Sequence, residues 1–231
     1  MMQKKVMKSK FIVVIILITN FVYGQTNEIK IKFIGNCGLH LTDGNTSIYI
    51  DFPYKSGAHN YMKYDNAQFD SIIDNSIFIF THRHKDHYSK KLVKQMKRKF
   101  KGKIYGNWNV KQLNELNNTI NEFTIKAIKT PHRFTFKHYS YLITWHGKKI
   151  YISGDTGSLD EISKIKNIDW CFINPWLFMN AQDEKITIDT KIFALYHLYP
   201  DQKINGKIPD YLKVLKTENE IFKMKYSKNQ K

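Results

Sequence analysis

The apolar positions of the chain fall into two periodicities, one of strands and one of helices. Glu28–Ile34 largely alternates charged with apolar residues and Ser47–Asp51 alternates polar with apolar, the pattern of half-buried strands. Between them Gly35–Gly38 and Asp43-Gly44-Asn45 supply turn chemistry. Ser76–Phe80 is a nearly continuous apolar run, as a strand covered on both faces requires. Lys90–Lys99 puts Leu92, Val93 and Met96 on one side of a helix. Lys103–Tyr105 reads as a short strand and Val110–Leu116 as a short helix. Glu122–Ile128, Tyr139–Thr144, Lys149–Ser153 and Trp170–Ile173 read as strands. Ser158–Lys164 and Ile188–Leu195 are expected to be helical, the second leading to a strand or turn at Tyr196–Leu198. Strands first, then alternating strands and helices, predict a layered α/β protein with helices over a largely β interior.

The first residues do not belong to that pattern. Lys4, Lys5, Lys8 and Lys10 precede an apolar run, Phe11–Ile18, and Val22-Tyr23-Gly24 follows before Gln25. This is the order of a secretory signal peptide. The run with its extension to Tyr23 is broken by Thr19 and Asn20 and falls short of the roughly 20 residues of a membrane span. Residues 1–24 are therefore expected to be a signal peptide and 25–231 one domain, periplasmic or secreted, with no transmembrane segment in the mature chain. No repeat or Pro/Gly-rich linker divides it.

The 231-residue chain carries a net charge of +17, which falls to +13 once the four signal lysines leave. Such an excess favours anionic partners. The lysines are dispersed, however, over 90–103 and 213–231 among other places, which suits a solvated basic surface. The charge is compatible with an anionic small-molecule substrate and predicts no specific nucleic-acid site. Only Cys37 and Cys171 are present. They are expected either to pair or to be two buried thiols. With no Cys-x-x-Cys, any metal is expected to be held by imidazole and carboxylate.

Chemistry concentrates at Thr81-His82-Arg83-His84-Lys85-Asp86-His87, where the buried strand ends. Three imidazoles and a carboxylate in six residues are poor core material, because each brings polar atoms that need partners. On a turned backbone His82 and His84 face one side while Asp86 and His87 bend toward a second point. Such donors suit zinc, and also manganese or iron. Pro131-His132, Gly154-Asp155 and Tyr196-His197 each follow a predicted element. Singly they are weak signals; as an ordered set after the first segment they are strong. His40, His59, His138 and His146 read as surface or strand residues. Trp170, Trp176, Phe178 and Met179 around Asn174-Pro175 read as core, with a pocket wall as the alternative. Arg133 and Lys85 read as solvated charge, with anion binding as the alternative.

In this ordered set the chain resembles the metallo-β-lactamase superfamily. The order His-x-His-x-Asp-His, then His, then Gly-Asp, then His is that family's signature, and Ile34–Gly38 and Ile48–Pro53 are similar too. The resemblance implies an αββα four-layer sandwich with the site at one edge between the sheets. It implies two divalent ions: His82, His84 and His132 on the first, Asp86, His87 and His197 on the second, and Asp155 bridging. Asp86 is also expected to orient the attacking group and to pass a proton to the leaving group. Such a pair acidifies a shared, bridging water and polarises the scissile group. Asp155 and His87 together look more like phosphodiesterases, thioesterases and lactonases than true β-lactamases. The chain looks closest to the branch similar to ascorbate-6-phosphate lactonase and N-acylphosphatidylethanolamine phospholipase D. The resemblance thus implies a hydrolase of a phosphodiester or lactone-like ester, and the expected signal peptide makes it an exported one. The alternatives are a non-catalytic metal-binding envelope protein and a β-lactam hydrolase.

Overall fold

The structure, a computed structural model, describes residues 27–204 and 206–227. The expected signal peptide lies outside them. No helix among the described residues is long and apolar enough to cross a membrane.

Among the described residues twelve strands fall into two six-stranded sheets. The first contains β1 (Glu28–Gly35), β2 (Gly38–Thr42), β3 (Ser47–Ile50), β4 (Ile77–Ile79) and β5 (Lys103–Tyr105). The second contains β6 (Phe123–Lys129), β7 (Tyr139–Trp145), β8 (Lys148–Ile152), β9 (Ile168–Ile173) and β10 (Thr190–Leu195). The charged stretch after His197 gives an edge strand to each: β11 (Leu212–Val214) lies beside β10, and β12 (Ile221–Lys225) beside β1. Both sheets are mixed, with β1–β2–β3 and β6–β7–β8 antiparallel and β3–β4–β5 and β8–β9–β10–β11 parallel.

Side chains leave successive strand residues in opposite directions, so one strand can serve two apolar layers. Ile48 and Ile50 of β3, Ile77 and Ile79 of β4, and Ile150 and Ile152 of β8 all join the core between the sheets. The intervening Tyr49 and Phe78 turn outward to a layer with Val93 and Met96. Tyr151, Cys171 and Ile173 turn outward to a layer with Leu177 and Ala181. These outer layers belong to α2 (Lys90–Lys99) and α4 (Pro175–Asp183), while α1 (Asn66–Asp70) and α3 (Leu116–Thr119) are short. The result is helix, sheet, sheet, helix, the expected four-layer sandwich.

Two local expectations are corrected and one helix is added. Ile188–Leu195 is not helical; Thr190–Leu195 pairs in parallel with β9 and β11, and with Ala194 in the core between the sheets and Leu195 in the outer layer both of its faces are covered, so it lacks the alternation that marks an exposed strand. Ser158–Lys164 contains only one 3₁₀ turn, Ile162–Lys164. Conversely, Pro175–Asp183 is a helix: Asn174 Oδ1 accepts the Leu177 N–H at 2.7 Å and Pro175 opens the first turn. Cys37 and Cys171 are both free and buried, in different layers.

Candidate metal centre

The donors gather at one edge between the two sheets. Thr81–His87 follows β4, the neighbour of β3 and β5 in the first sheet. His132, Asp155 and His197 follow β6, β8 and β10 of the second. All seven sequence-predicted donors meet there.

Asp155 stands in the middle. Its Oδ2 lies 3.6 Å from His82 Nε2 and 3.7 Å from His132 Nε2, while His84 Nδ1 lies 3.1 Å from His132 Nε2. Its Oδ1 lies 2.9 Å from His87 Nε2 and 3.2 Å from His197 Nε2. Asp86 Oδ2 is 3.1 Å from His197 Nε2 and 3.7 Å from His87 Nε2. One carboxylate oxygen therefore faces each group of imidazoles.

The backbone that presents these side chains is held by polar links rather than by regular structure. Gly154 adopts φ +59, and a Cβ there would sit 2.5 Å from His138 Nε2. Asn174 Nδ2 donates to the carbonyls of Gly154 and Thr156 at 2.8 and 2.9 Å. The Asp155 N–H donates to His138 Nε2 at 2.9 Å. Asn36 ties the two sheets' donor loops: its Nδ2 donates to the Asp86 carbonyl at 2.9 Å, and its own carbonyl accepts the His197 N–H at 3.0 Å.

The residues fit divalent cations. His82 Nε2, Asp86 Oδ1 and Asp155 Oδ1 are buried with no hydrogen-bond partner, although buried polar atoms are almost always satisfied. Outer nitrogens are engaged instead, as ligating histidines require: His87 Nδ1 with Asp51 at 2.8 Å and His82 Nδ1 with Thr81 Oγ1 at 3.0 Å. His197 departs from this, its Nδ1 being buried without a partner.

Electrostatics agree. Burial alone would raise the Asp155 carboxyl, but His197 and His87 outweigh it and hold it well below the usual range. Burial opposes charge on His87 and His197, yet Asp155 keeps both well above the ordinary histidine value. A field that favours positive charge among these atoms favours a cation there. Burial, reinforced by His87, pushes His82 well below its usual value, leaving a neutral ring with a lone pair to donate.

Some site residues were not legible as such. His138 is buried and supports Asp155 through its backbone; burial pushes it down to about 3. His59 is exposed but its Nε2 reaches 4.0 Å from Asp86 Oδ1. Cys37 also lies here, its Sγ 3.7 Å from His87 Nε2. Neither adjacency is signalled by spacing, since His87 is 50 residues from Cys37.

A cleft of about 640 Å³ opens beside the donors, lined by His132, Arg133, Asp155, Gly157, Ser158 and Trp176. Trp176 is thus the pocket wall among the aromatic residues of its segment. Trp170 packs on Phe172 and Phe222, Phe178 packs on Phe193, and Met179 is exposed. Lys85 borders a separate cleft with Lys55 and Arg83. Tyr61 meets the His197 ring edge-on at 4.0 Å and stacks on Tyr199.

Over residues 30–174 the sequence matches the family model described as a β-lactamase superfamily domain. The chain belongs to the metallo-β-lactamase superfamily. Membership and the assembled donor set make it a metal-dependent hydrolase in class. Solved structures resemble it in fold. Igni18, a metallo hydrolase from Ignicoccus hospitalis KIN4/I, is 16% identical with a TM-score of 0.60, covering 87% of this chain and 100% of its own. The metallo-β-lactamase fold protein YhfI from Bacillus subtilis is 16% identical, TM-score 0.59, with 86% and 100% covered. The diiron β-hydroxylase CmlA from Streptomyces venezuelae is 12% identical, TM-score 0.52, with 76% of this chain and 46% of its own covered. No curated protein matches the sequence.

Proposed function

We propose that this superfamily member is an exported binuclear hydrolase whose substrate is a phosphodiester or lactone-like ester carrying negative charge. The observation that supports it best is the position of Asp155, with one oxygen toward His82 and His132 and the other toward His87 and His197. His82, His84 and His132 would hold the first ion and Asp86, His87 and His197 the second, zinc being favoured by the imidazole-rich set. When bound, two such ions supply Lewis acidity and lower the pKa of water toward neutrality.

The chain's own residues do the rest. Asp86 sits beside His197 with Oδ1 unpartnered, so it can orient an attacking water and take its proton for delivery to the leaving group. Arg133, on the cleft wall with Asp155 and His132, can pair with an anionic group of the substrate. Trp176 closes the cleft with an apolar face and donates its indole N–H to the Asp155 carbonyl at 3.3 Å.

Metal analysis of the purified protein, coupled to a panel of phosphodiester, lactone, thioester and β-lactam substrates, tests this reading. Two equivalents of metal and fastest turnover of an activated phosphodiester or lactone are expected. A β-lactam as best substrate by a wide margin would overturn the substrate class. Export is tested separately by N-terminal sequencing from the native host, where a start near Gln25 is expected and an intact Met1 in the cytoplasm would end the claim.

A further inference from the structure

We propose that Cys37 is a ligand of the second metal position, making it a nitrogen, oxygen and sulfur site with a stronger preference for zinc than the first. The inference deepens the binuclear reading above and rests on it.

Cys37 lies at the β1–β2 turn, fully buried. Its neighbour Asn36, at φ 46, is the residue that binds both the Asp86 carbonyl and the His197 N–H. The turn is thus fixed against the site by two hydrogen bonds on either side of the second donor group. Donor atoms of Cys37, His87, Asp155 and His197 all lie within 4.8 Å of one another.

The two edges that link Cys37, His87 and His197 already have the lengths found between ligands of one zinc ion. Zinc–sulfur bonds of about 2.3 Å and zinc–nitrogen bonds of about 2.0–2.1 Å set a sulfur–nitrogen edge of about 3.6 Å and a nitrogen–nitrogen edge of about 3.4 Å. Cys37 Sγ lies 3.7 Å from His87 Nε2, and His87 Nε2 lies 3.2 Å from His197 Nε2.

A second observation points to a cation independently of the thiol. Asp155 Oδ1 belongs to the same cage and is buried without a hydrogen-bond partner. His87 gives its Nδ1 side to the Asp51 carboxylate, which leaves Nε2 facing Cys37 Sγ and His197 Nε2, 2.9 Å from Asp155 Oδ1. Three electron-rich atoms converging in a buried space call for a shared positive ion.

Ligation converts the thiol to a thiolate and releases one proton to solvent, with no redox change. Thiolate is a soft donor that selects zinc, whereas imidazole and carboxylate accept manganese and iron as well. Cys171 offers no comparable site, being buried in the outer layer with Ile173 and Leu177.

The test loads the full-length protein with cobalt(II) and follows metal content and the near-ultraviolet spectrum together. A sulfur-to-cobalt charge-transfer band is expected to grow with the second equivalent, to persist in Cys171→Ala, and to vanish in Cys37→Ala and Cys37→Ser. In those last two variants zinc affinity at the second position should fall by more than the roughly 10–100-fold that loss of an outer-shell partner costs. Two equivalents bound by the unmutated protein without a band would overturn the role of Cys37 and leave the two-ion reading intact. One equivalent with the band would retain Cys37 as a ligand and overturn the two-ion reading. One equivalent without it would overturn both. The deciding spectrum is that of the unmutated protein, so it stands even where a variant misfolds.

Discussion

His87 Nδ1 lies 2.8 Å from a carboxylate oxygen of Asp51, and both residues are wholly buried. Asp51 also accepts the Thr81 N–H at 2.7 Å and the Thr81 hydroxyl at 2.8 Å. One carboxylate thereby fixes the start of the motif loop and the tautomer of His87. Asp51→Asn keeps the shape but puts an amide N–H₂ where an acceptor is needed. Zinc affinity at the second position should drop by about 10–100-fold, measured by chelator competition, with turnover falling alongside. Unchanged affinity would remove Asp51 from the support of the site.

Asp155 offsets the repulsion between two cations and offers each an oxygen. Asp155→Ala should fold, retain about one metal instead of two, and lose at least about a hundredfold in turnover, more than loss of an outer-shell partner costs. His146→Ala is the control: this histidine is bonded to Asp43 and Glu122, both at 2.9 Å, away from the donors. Its metal content and rate should match the parent. Two metals and normal activity in Asp155→Ala would remove that residue from the centre.

Gly154→Ala meets two obstacles at once. The left-handed backbone costs a non-glycine residue about 1–2 kcal/mol. The added Cβ also collides with His138 Nε2 at 2.5 Å and approaches the Thr81 Cβ at 3.0 Å. Relief requires moving either the loop that carries Asp155 or the histidine beneath it. A lower melting temperature with weakened metal binding is expected; a variant as stable and as metal-replete as the parent would show that the loop relaxes freely.

His40 on β2 provides a pH signature outside the centre. It stacks on Tyr49 at 4.3 Å, and burial, with Lys32 opposite it, lowers its pKa from 6.5 to about 4. The unfolded chain therefore binds more protons between these values, so the contribution is complete above about pH 6.5 and is lost as pH falls through about 4. The loss is on the order of 2–3 kcal/mol. Thermal melts at pH 7 and 4.5 should show a smaller acid loss in His40→Phe than in the parent; equal losses would assign the acid sensitivity elsewhere.

Much of the fold and of the centre is legible in local pattern. The motif segment, the isolated His132 and His197, and Gly154-Asp155 stand out by residue type and order, and Ile77–Ile79 by its unbroken apolar run. Thr190–Leu195 does not, because Ile188, Ile192 and Leu195 mimic a helical face when both sides of a strand are covered. The start of Pro175–Asp183 is signalled by Asn174-Pro175 but masked by the aromatic residues that follow. Cys37 and His138 could not be found, since what makes each one matter is a contact made by folding, with His87 in the first case and with the Asp155 amide in the second.

The basic C-terminal stretch has a consequence for self-association. Its β12 occupies the outer position of the first sheet, where Lys223 and Lys225 pair in register with Lys30 and Glu28 of β1, and Glu28 meets Lys223 at 3.4 Å. An exposed sheet margin is a template on which another chain can add a strand, and lysine is the residue that most often spoils it. Met224 faces the core while Ile221, Lys223 and Lys225 face solvent. The positive charge at this border thus repels a second copy at the point where an uncharged strand would invite one, and it need not signify an anionic ligand.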